Sequence, residues 1–364
     1  MVVETVRQIG KFATFGVLSV AVCVGIAGCS PGGDSGGGGN KGTIRFVFSP
    51  DPAWNWIEDQ GILKEMEDES GYHIQRFETE DEFASFAGGH ADIVSTGTYE
   101  TPVLEKETGV QTVTIGKYNR AQDIVVVKNG SGYKSFGDLP KGCKVGVESF
   151  AGSSLVWQAL AKDMDNRELA EGSDDLQMAL TDFEVSPDLV VKGDLCAGVT
   201  AMTTSIPYLM NGSVDVLYDG KTAAQLYEEK YEPGHVGMNS NNFVTLHSWY
   251  KDHPDEVAFF LSVWQRALDE WKAHQSEIID ANQEDFGYQN DVEKQFVKDY
   301  YANTYDNFLD SVYLTPKWIE QEQGVTDLLR AAGLVPEDQQ DSIYVCIDPE
   351  TGKQTCEIPD VGDN

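Results

Sequence analysis

Gly89-His90-Ala91-Asp92-Ile93-Val94-Ser95-Thr96-Gly97, followed by Pro102 and Gly109, has a counterpart further along the chain. That counterpart is Gly193-Asp194-Leu195-Cys196-Ala197-Gly198-Val199-Thr200, followed by Pro207 and Gly212. Each stretch reads as a buried strand, a loop of small polar residues, a helix opened by proline, a glycine stop and a second strand. A chain that repeats this unit builds two α/β blocks of one kind. Two such blocks imply a cleft between them, lined by the loops at the carboxyl ends of their strands.

The alternation continues on both sides. Thr43 to Phe48 reads as a strand broken by Asp51-Pro52, and Trp54 to Ser70 as one helix ending before Gly71. Tyr72 to Glu78 is a strand, Glu80 to Ala87 a short helix, Asp92 to Ser95 a strand, Thr101 to Glu107 a helix and Gln111 to Ile115 a strand. Asp123 to Lys128, a β-branched run before the turn Asn129-Gly130-Ser131-Gly132, leads into the second block. There Cys143 to Val147, Leu195 to Thr200 and Asp215 to Tyr218 read as strands, and Ser153 to Asp163 and Ile206 to Met210 as helices. The expected class is α/β with parallel-rich sheets. Beyond Phe243 the pattern turns helical. Pro254 to Lys272 sets Val257, Phe260, Leu261, Trp264, Leu268 and Trp271 on one face, which reads as core rather than as a ligand box. Asp291 to Tyr301 and Pro316 to Ala332 are further helices.

The N-terminal segment has a different character. Arg7 and Lys11 precede an uncharged apolar run from Phe12 to Gly25, the layout of a secretory signal, too short and wrongly flanked for a membrane span. Ile26-Ala27-Gly28-Cys29 resembles the lipobox of bacterial lipoproteins, in which the cysteine thiol is diacylated and the bond before it is cut. The resemblance implies a signal peptide over residues 1–28 and a lipid anchor at Cys29. Ser30 to Gly39 contains no apolar side chain, so residues 29–42 form a Gly-rich tether.

Sixty acidic residues against 26 basic ones give a formal charge of −34, spread along the body as a solvated surface. That balance argues against nucleic acid and against docking on anionic lipid. With Cys23 in the signal and Cys29 at the lipid site, Cys143, Cys196, Cys346 and Cys356 remain, and an even set in an oxidising compartment suggests two disulfides. Cys346 and Cys356 flank a turn-rich loop and pair by closeness; Cys143 and Cys196 pair by elimination. The spacing fits no zinc pattern, and the six histidines are scattered, so neither metal nor cofactor is expected.

Three segments taken in order, Ala87 to Thr98 (AGGHADIVSTGT), Ser135 to Val147 (SFGDLPKGCKVGV) and Trp249 to Leu261 (WYKDHPDEVAFFL), carry a wider likeness. They resemble the periplasmic solute-binding proteins of the nitrate/sulfonate/taurine and pyrimidine-precursor class, which feed ABC importers. The likeness runs to about Ala332. It implies a two-lobed type II binding-protein fold with hinge crossovers near Ala121–Lys128 and Val236–Val244. Lobe 1 would take residues 43–122 and 240–335, including the C-terminal helices, and lobe 2 residues 123–239. The disulfide-bearing tail, 336–364, lies outside the pattern. The resemblance also implies an extracytoplasmic protein acting as a monomer, with a small-molecule ligand and an ABC permease as partners.

Candidate ligand contacts sit in the loops after the strands: Ser49 and Trp54; Ser95, Thr96, Gly97 and Thr98; Phe150, Gly152, Ser153 and Ser154. Tyr118 and Thr204 are further candidates. Backbone N–H groups at the helix start near Ser153 favour an anion, and Ser153 or Ser154 can also serve as a cap. Trp54 and Trp56 are expected to divide ligand stacking and core packing between them. The expected ligand is a small organic anionic solute, sulfonate, taurine or pyrimidine-like, since nitrate offers a ring little area to cover. A tethered sensor serving a receptor is the alternative, and an enzyme of pyrimidine metabolism on the same fold a remote one. The chain has no Gly-x-Ser-x-Gly elbow, no P-loop and no His-Glu-x-x-His.

Cys29→Ser is expected to release the protein from the membrane fraction or to block its processing. A processed mutant that still sediments with membranes would refute the anchor.

Overall fold

The computed structural model describes residues 41–48, 51–78, 82–150, 152–235 and 238–356. The chain forms two units, 1–37 and 38–364, and every described residue belongs to the second. The expected signal peptide, the expected lipid site Cys29 and the Gly-rich run up to Asn40 lie outside the described residues.

Two sheets organise the body. The first contains β1 (Gly42–Phe48), β2 (Tyr72–Glu78), β3 (Ile93–Thr96), β4 (Thr112–Arg120) and, from much later in the chain, β11 (Asn239–Leu246). The second contains β5 (Asp123–Lys128), β6 (Cys143–Val147), β7 (Leu169–Ala170), β8 (Leu176–Leu180), β9 (Ala197–Ala201) and β10 (Val214–Val216). Their orders are β2-β1-β3-β11-β4 and β10-β5-β9-β6-β8-β7. β11 runs antiparallel to β3 and β4, and β5 runs antiparallel to β9 and β10. The remaining pairs are parallel. Reading the second sheet as β8-β6-β9-β5-β10 reproduces the first sheet strand for strand, so the echo in the sequence is an echo in topology. In each sheet the antiparallel visitor is the strand by which the chain arrives from the other sheet. The two crossovers fall at Ala121–Gln122 and just before Asn239, within the expected spans; Val236 and Gly237 lie outside the described residues.

Helices cover the sheets: α1 (Pro52–Asp59), α2 (Ile62–Ser70), α3 (Glu82–Ala87), α4 (Thr101–Thr108), α5 (Ser153–Asp165), α6 (Ser186–Lys192) and α7 (Met202–Met210). They continue with α8 (Ala223–Lys230), α9 (His247–Asp252), α10 (Pro254–Ala281), α11 (Gln283–Phe286), α12 (Asp291–Asn303) and α13 (Pro316–Ala332). With helices on their faces, the inner strands are buried on both sides: all four residues of β3 and the first five of β5 are buried.

Three expectations change. The single helix over Trp54 to Ser70 is two helices, because Gly61 takes the left-handed conformation (φ 73°) that ends one and starts the other. α7 begins at Met202 and carries Pro207 inside it. The N–H that proline lacks would have met the Thr203 carbonyl, which lies where a side chain at Gly287 would crowd it. α10 runs on to Ala281, past a break at His274. β8, α6 and α8 lack a clear signal in the sequence.

The apolar face expected on α10 is the core of the first sheet: Val257, Phe260, Leu261, Trp264, Leu268 and Trp271 are each 0% exposed. They pack with Phe46, Phe48 and Phe243. The C-terminal helices do not all join that core. α13 buries Val325, Leu328 and Leu329 with Trp157 and Leu160 of α5, on the second sheet.

The tail returns to the first sheet. Thr114 of the edge strand β4 donates to the Ile343 carbonyl (2.8 Å), and Val345 donates to the Thr114 carbonyl (2.9 Å). Both expected disulfides are present, with Cα separations of 6.0 Å for Cys143–Cys196 and 5.2 Å for Cys346–Cys356. Cys143 opens β6 and Cys196 immediately precedes its parallel neighbour β9, so the bond clips adjacent strands. Replacing Cys143 and Cys196 by serine is expected to cost about 2–4 kcal/mol, read as a lowered melting temperature. Peptide mapping under non-reducing conditions checks the pairing, and free thiols at these positions would overturn it.

Candidate ligand site

The parallel strands end on one edge of each sheet. β1 and β3 deliver Asp51 and the Gly97–Glu100 turn to the edge of the first; β6 and β9 deliver residues 148–150, 152–153 and 201–204 to the edge of the second. The visitors start at those same edges, since Asp123 lies opposite Ala201 and Asn242 opposite Thr96. The two edges touch. A Cβ built on Gly152 would lie 3.4 Å from Glu100 Oε1. Tyr99, from the first sheet's loop, packs in the second sheet's core.

Glu100 ties down its own turn. Its Oε2 accepts from the Gly97 N–H at 2.8 Å and from the Thr96 hydroxyl at 3.1 Å. Burial pushes its carboxyl above the usual range, against the pull of those two donors. Close by, Asp123 is 7% exposed and accepts from the Ser153 hydroxyl. Burial pushes Asp123 up to about 6, the Ser153 bond opposes the shift, and the charge of Glu100 adds to it. Gly152 is the N-cap of α5, at φ 62°, and makes no side-chain cap bond. The helix start that the sequence offers to an anion therefore already has a carboxylate of the protein beside it.

The remaining predicted contacts are distributed as follows. Ser49 lies outside the described residues. Trp54 is 0% exposed, packed against Phe46, Phe48 and Trp264, with its indole N–H on Glu58. No face of that ring is left for a ligand, so the stacking role expected of it is corrected to core packing. Trp56, partly buried, stacks on His274 and donates to Glu270. Ser95 and Tyr118 hydrogen-bond each other at 2.9 Å, and the Tyr118 ring stacks on Phe243. Phe150 packs on the second core, and Ser154 is 2% exposed. Thr204 bonds Thr200 at 2.7 Å and the Ala201 carbonyl at 2.9 Å. Thr96, Gly97, Gly152 and Ser153 are thus brought together, while Ser95, Thr98, Tyr118 and Thr204 belong to the supporting network. Sequence reasoning missed Glu100 and Asp123. A glutamate three residues after Gly97 and an aspartate at the mouth of an apolar strand were the signals available.

Behind the site stands Glu322 of α13, 0% exposed. It accepts from the Thr98 hydroxyl (2.6 Å) and the Asn239 N–H (2.8 Å), and its other oxygen lies 2.7 Å from His235 Nε2. One buried carboxylate joins the first sheet's loop to both sides of the return crossover. Asp51 caps α1, accepting from the Ala53 and Trp54 N–H groups at 2.9 and 3.2 Å. Burial pushes Asp51 up to about 7 against those two donors, and the charge of Asp285 adds to the rise. Two open cavities lie away from this junction, one between α9–α10 and the tail hairpin and one around α11.

No family model matches the chain, and no curated protein matches it in sequence. Solved structures do. The periplasmic aliphatic sulphonate binding protein SsuA from Escherichia coli superposes with a TM-score of 0.63 at 16% identity, covering 88% of this chain and 98% of its own. The alkanesulfonate-binding protein SsuA from Xanthomonas axonopodis pv. citri, bound to MOPS, gives 0.61 at 15% identity, covering 81% and 94%. A Candida albicans protein with the generic periplasmic binding protein fold gives 0.58 at 14%, covering 81% and 92%. At these identities the likeness establishes the fold, that of the periplasmic binding proteins.

Because the Asp51 carboxyl is raised in the folded state, its contribution to stability is full below about pH 4 and is lost as pH rises through about 7. Asp51→Asn, which keeps a capping oxygen, is expected to gain about 1–3 kcal/mol on wild type between pH 5 and 8. Parallel melting curves for the two proteins across that range would show that the carboxyl carries no such penalty.

Proposed function

We propose that the chain is an extracytoplasmic solute-binding protein, tethered through Cys29, that captures a small organic solute between two lobes and delivers it to an ABC importer. Each sheet forms the centre of one lobe. The observation that carries this reading is the meeting of the two carboxyl-terminal sheet edges, at Glu100 and Gly152, beside both crossovers. A solute held there touches both lobes only when they are closed, so binding favours closure. The fold neighbours support the role: two are named as sulfonate-binding proteins, and one was solved with a sulfonate buffer bound. The lipobox resemblance supports the tether.

The test uses the detergent-solubilised full-length protein, screened by thermal shift against sulfonates, carboxylates, amines and pyrimidines. A solute at 100 times its dissociation constant should stabilise by about 2.7 kcal/mol, and scattering should show a smaller radius of gyration with solute present. A bound solute that leaves the radius unchanged would refute closure, and failure of every class to bind would refute the reading.

A further inference from the structure

We infer that Asn211 is the acceptor of an N-linked glycan, carried on the surface of the second sheet's unit far from the junction of the sheet edges. This assignment goes beyond solute capture and rests on the extracytoplasmic placement proposed above, since sugars are joined to Asn-x-Ser/Thr in exported chains.

The pattern Asn-x-Ser/Thr occurs at two places in the sequence, Asn129-Gly130-Ser131 and Asn211-Gly212-Ser213, and nowhere else. Far apart along the chain, the two lie side by side in the fold. β5 ends at Lys128 and β10 starts at Val214, and these two residues are partners across the sheet. The Asn129 N–H donates to the Ser213 carbonyl at 3.0 Å, and Asn129 Nδ2 donates to the Gly212 carbonyl at 2.7 Å. Both asparagines are exposed, but their side chains are used differently. Nδ2 of Asn129 holds the neighbouring loop. Asn211 turns back on its own tripeptide: Oδ1 accepts from the Ser213 N–H at 2.9 Å and from the Ser213 hydroxyl, an Asx turn. Nδ2, the atom to which a sugar is joined, is left without a protein partner among the described residues. Gly212, at φ 70°, makes the sharp bend from α7 into β10 and sets no side chain beside that nitrogen. A bulky group fits this place. Asn211 lies at the opposite end of β5 from Asp123, about 17 Å from the junction at 3.4 Å per residue, so a sugar there leaves the junction clear. The sugar comes from a donor of the polyprenyl-phosphate class, presented by a membrane transferase. The bond from its anomeric carbon to Nδ2 forms as the bond to the phosphate oxygen breaks. The electron pair leaves with the lipid phosphate, the proton of Nδ2 passes to a base of the transferase, and nothing is oxidised or reduced.

The experiment purifies the full-length protein from the cells that make it, digests it, and sequences the peptides by mass spectrometry with fragmentation that leaves sugars attached. Protease treatment of spheroplasts reports separately whether the protein faces outward. Expected is a sugar-bearing peptide that contains Asn211. Asn211→Gln and Ser213→Ala should abolish it, whereas Ser213→Thr, which keeps the hydroxyl, and Asn129→Gln should retain it. Circular dichroism and melting temperature confirm that the variants are folded. An outward-facing protein whose Asn211 is bare, or is only deamidated to aspartate, overturns this inference and leaves the extracytoplasmic reading standing. A sugar found on Asn129 alone does the same. A protein both bare and shielded from protease overturns both.

Discussion

A parallel sheet sends every strand end to the same side, and this chain uses that constraint twice. Because β5 and β11 enter their sheets antiparallel, each begins at the edge where the parallel strands finish. The crossovers therefore sit beside the loops at those edges, and connectivity, the Tyr99 ring packed in the second core and the Glu322 hydrogen bonds together hold the two edges against each other. From that placement the Gly97–Glu100 turn, the α5 helix start and the opening of β5 converge without any one of them reaching far.

Convergence also sets the electrostatics. A carboxylate is tolerable in a dry junction only with donors, and the junction supplies them unevenly. Glu322 has three partners and acts as a fixed post behind the return crossover. Glu100 and Asp123 have fewer, and they sit on opposite sides of the contact. The surplus of acidic residues over the whole surface, −34 in formal charge, is a separate matter, since exposed charges keep their hydration.

Much of the fold was legible in the sequence, for physical reasons visible in particular residues. β2, β5, β6 and α13 begin and end where the pattern places them, because each is bounded by glycine, proline or a polar turn. The α10 face was legible because its period is helical and its residues are apolar. What failed was local in a different way. Gly61 breaks a helix by one backbone angle, Pro207 stands inside a helix rather than at its start, and β8 alternates too weakly to stand out. The site was harder still. Trp54 follows the right strand, yet its ring turns inward to Phe46, Phe48 and Trp264, and no pattern in the sequence tells an inward indole from an outward one. Glu100 and Asp123 gain their significance only from a contact between distant loops.

The tail turns β4 from an outer strand into an inner one. Residues 343–345 bond along its free side, and the Cys346–Cys356 loop closes just beyond. Such cover removes an edge on which another chain could template itself. It has a mechanical side too. β4 leads directly into the first crossover, so a strand clamped on both flanks behaves as a fixed bearing. The two residues between Arg120 and Asp123 then cross to the second sheet from a strand held by β11 on one side and by the tail on the other.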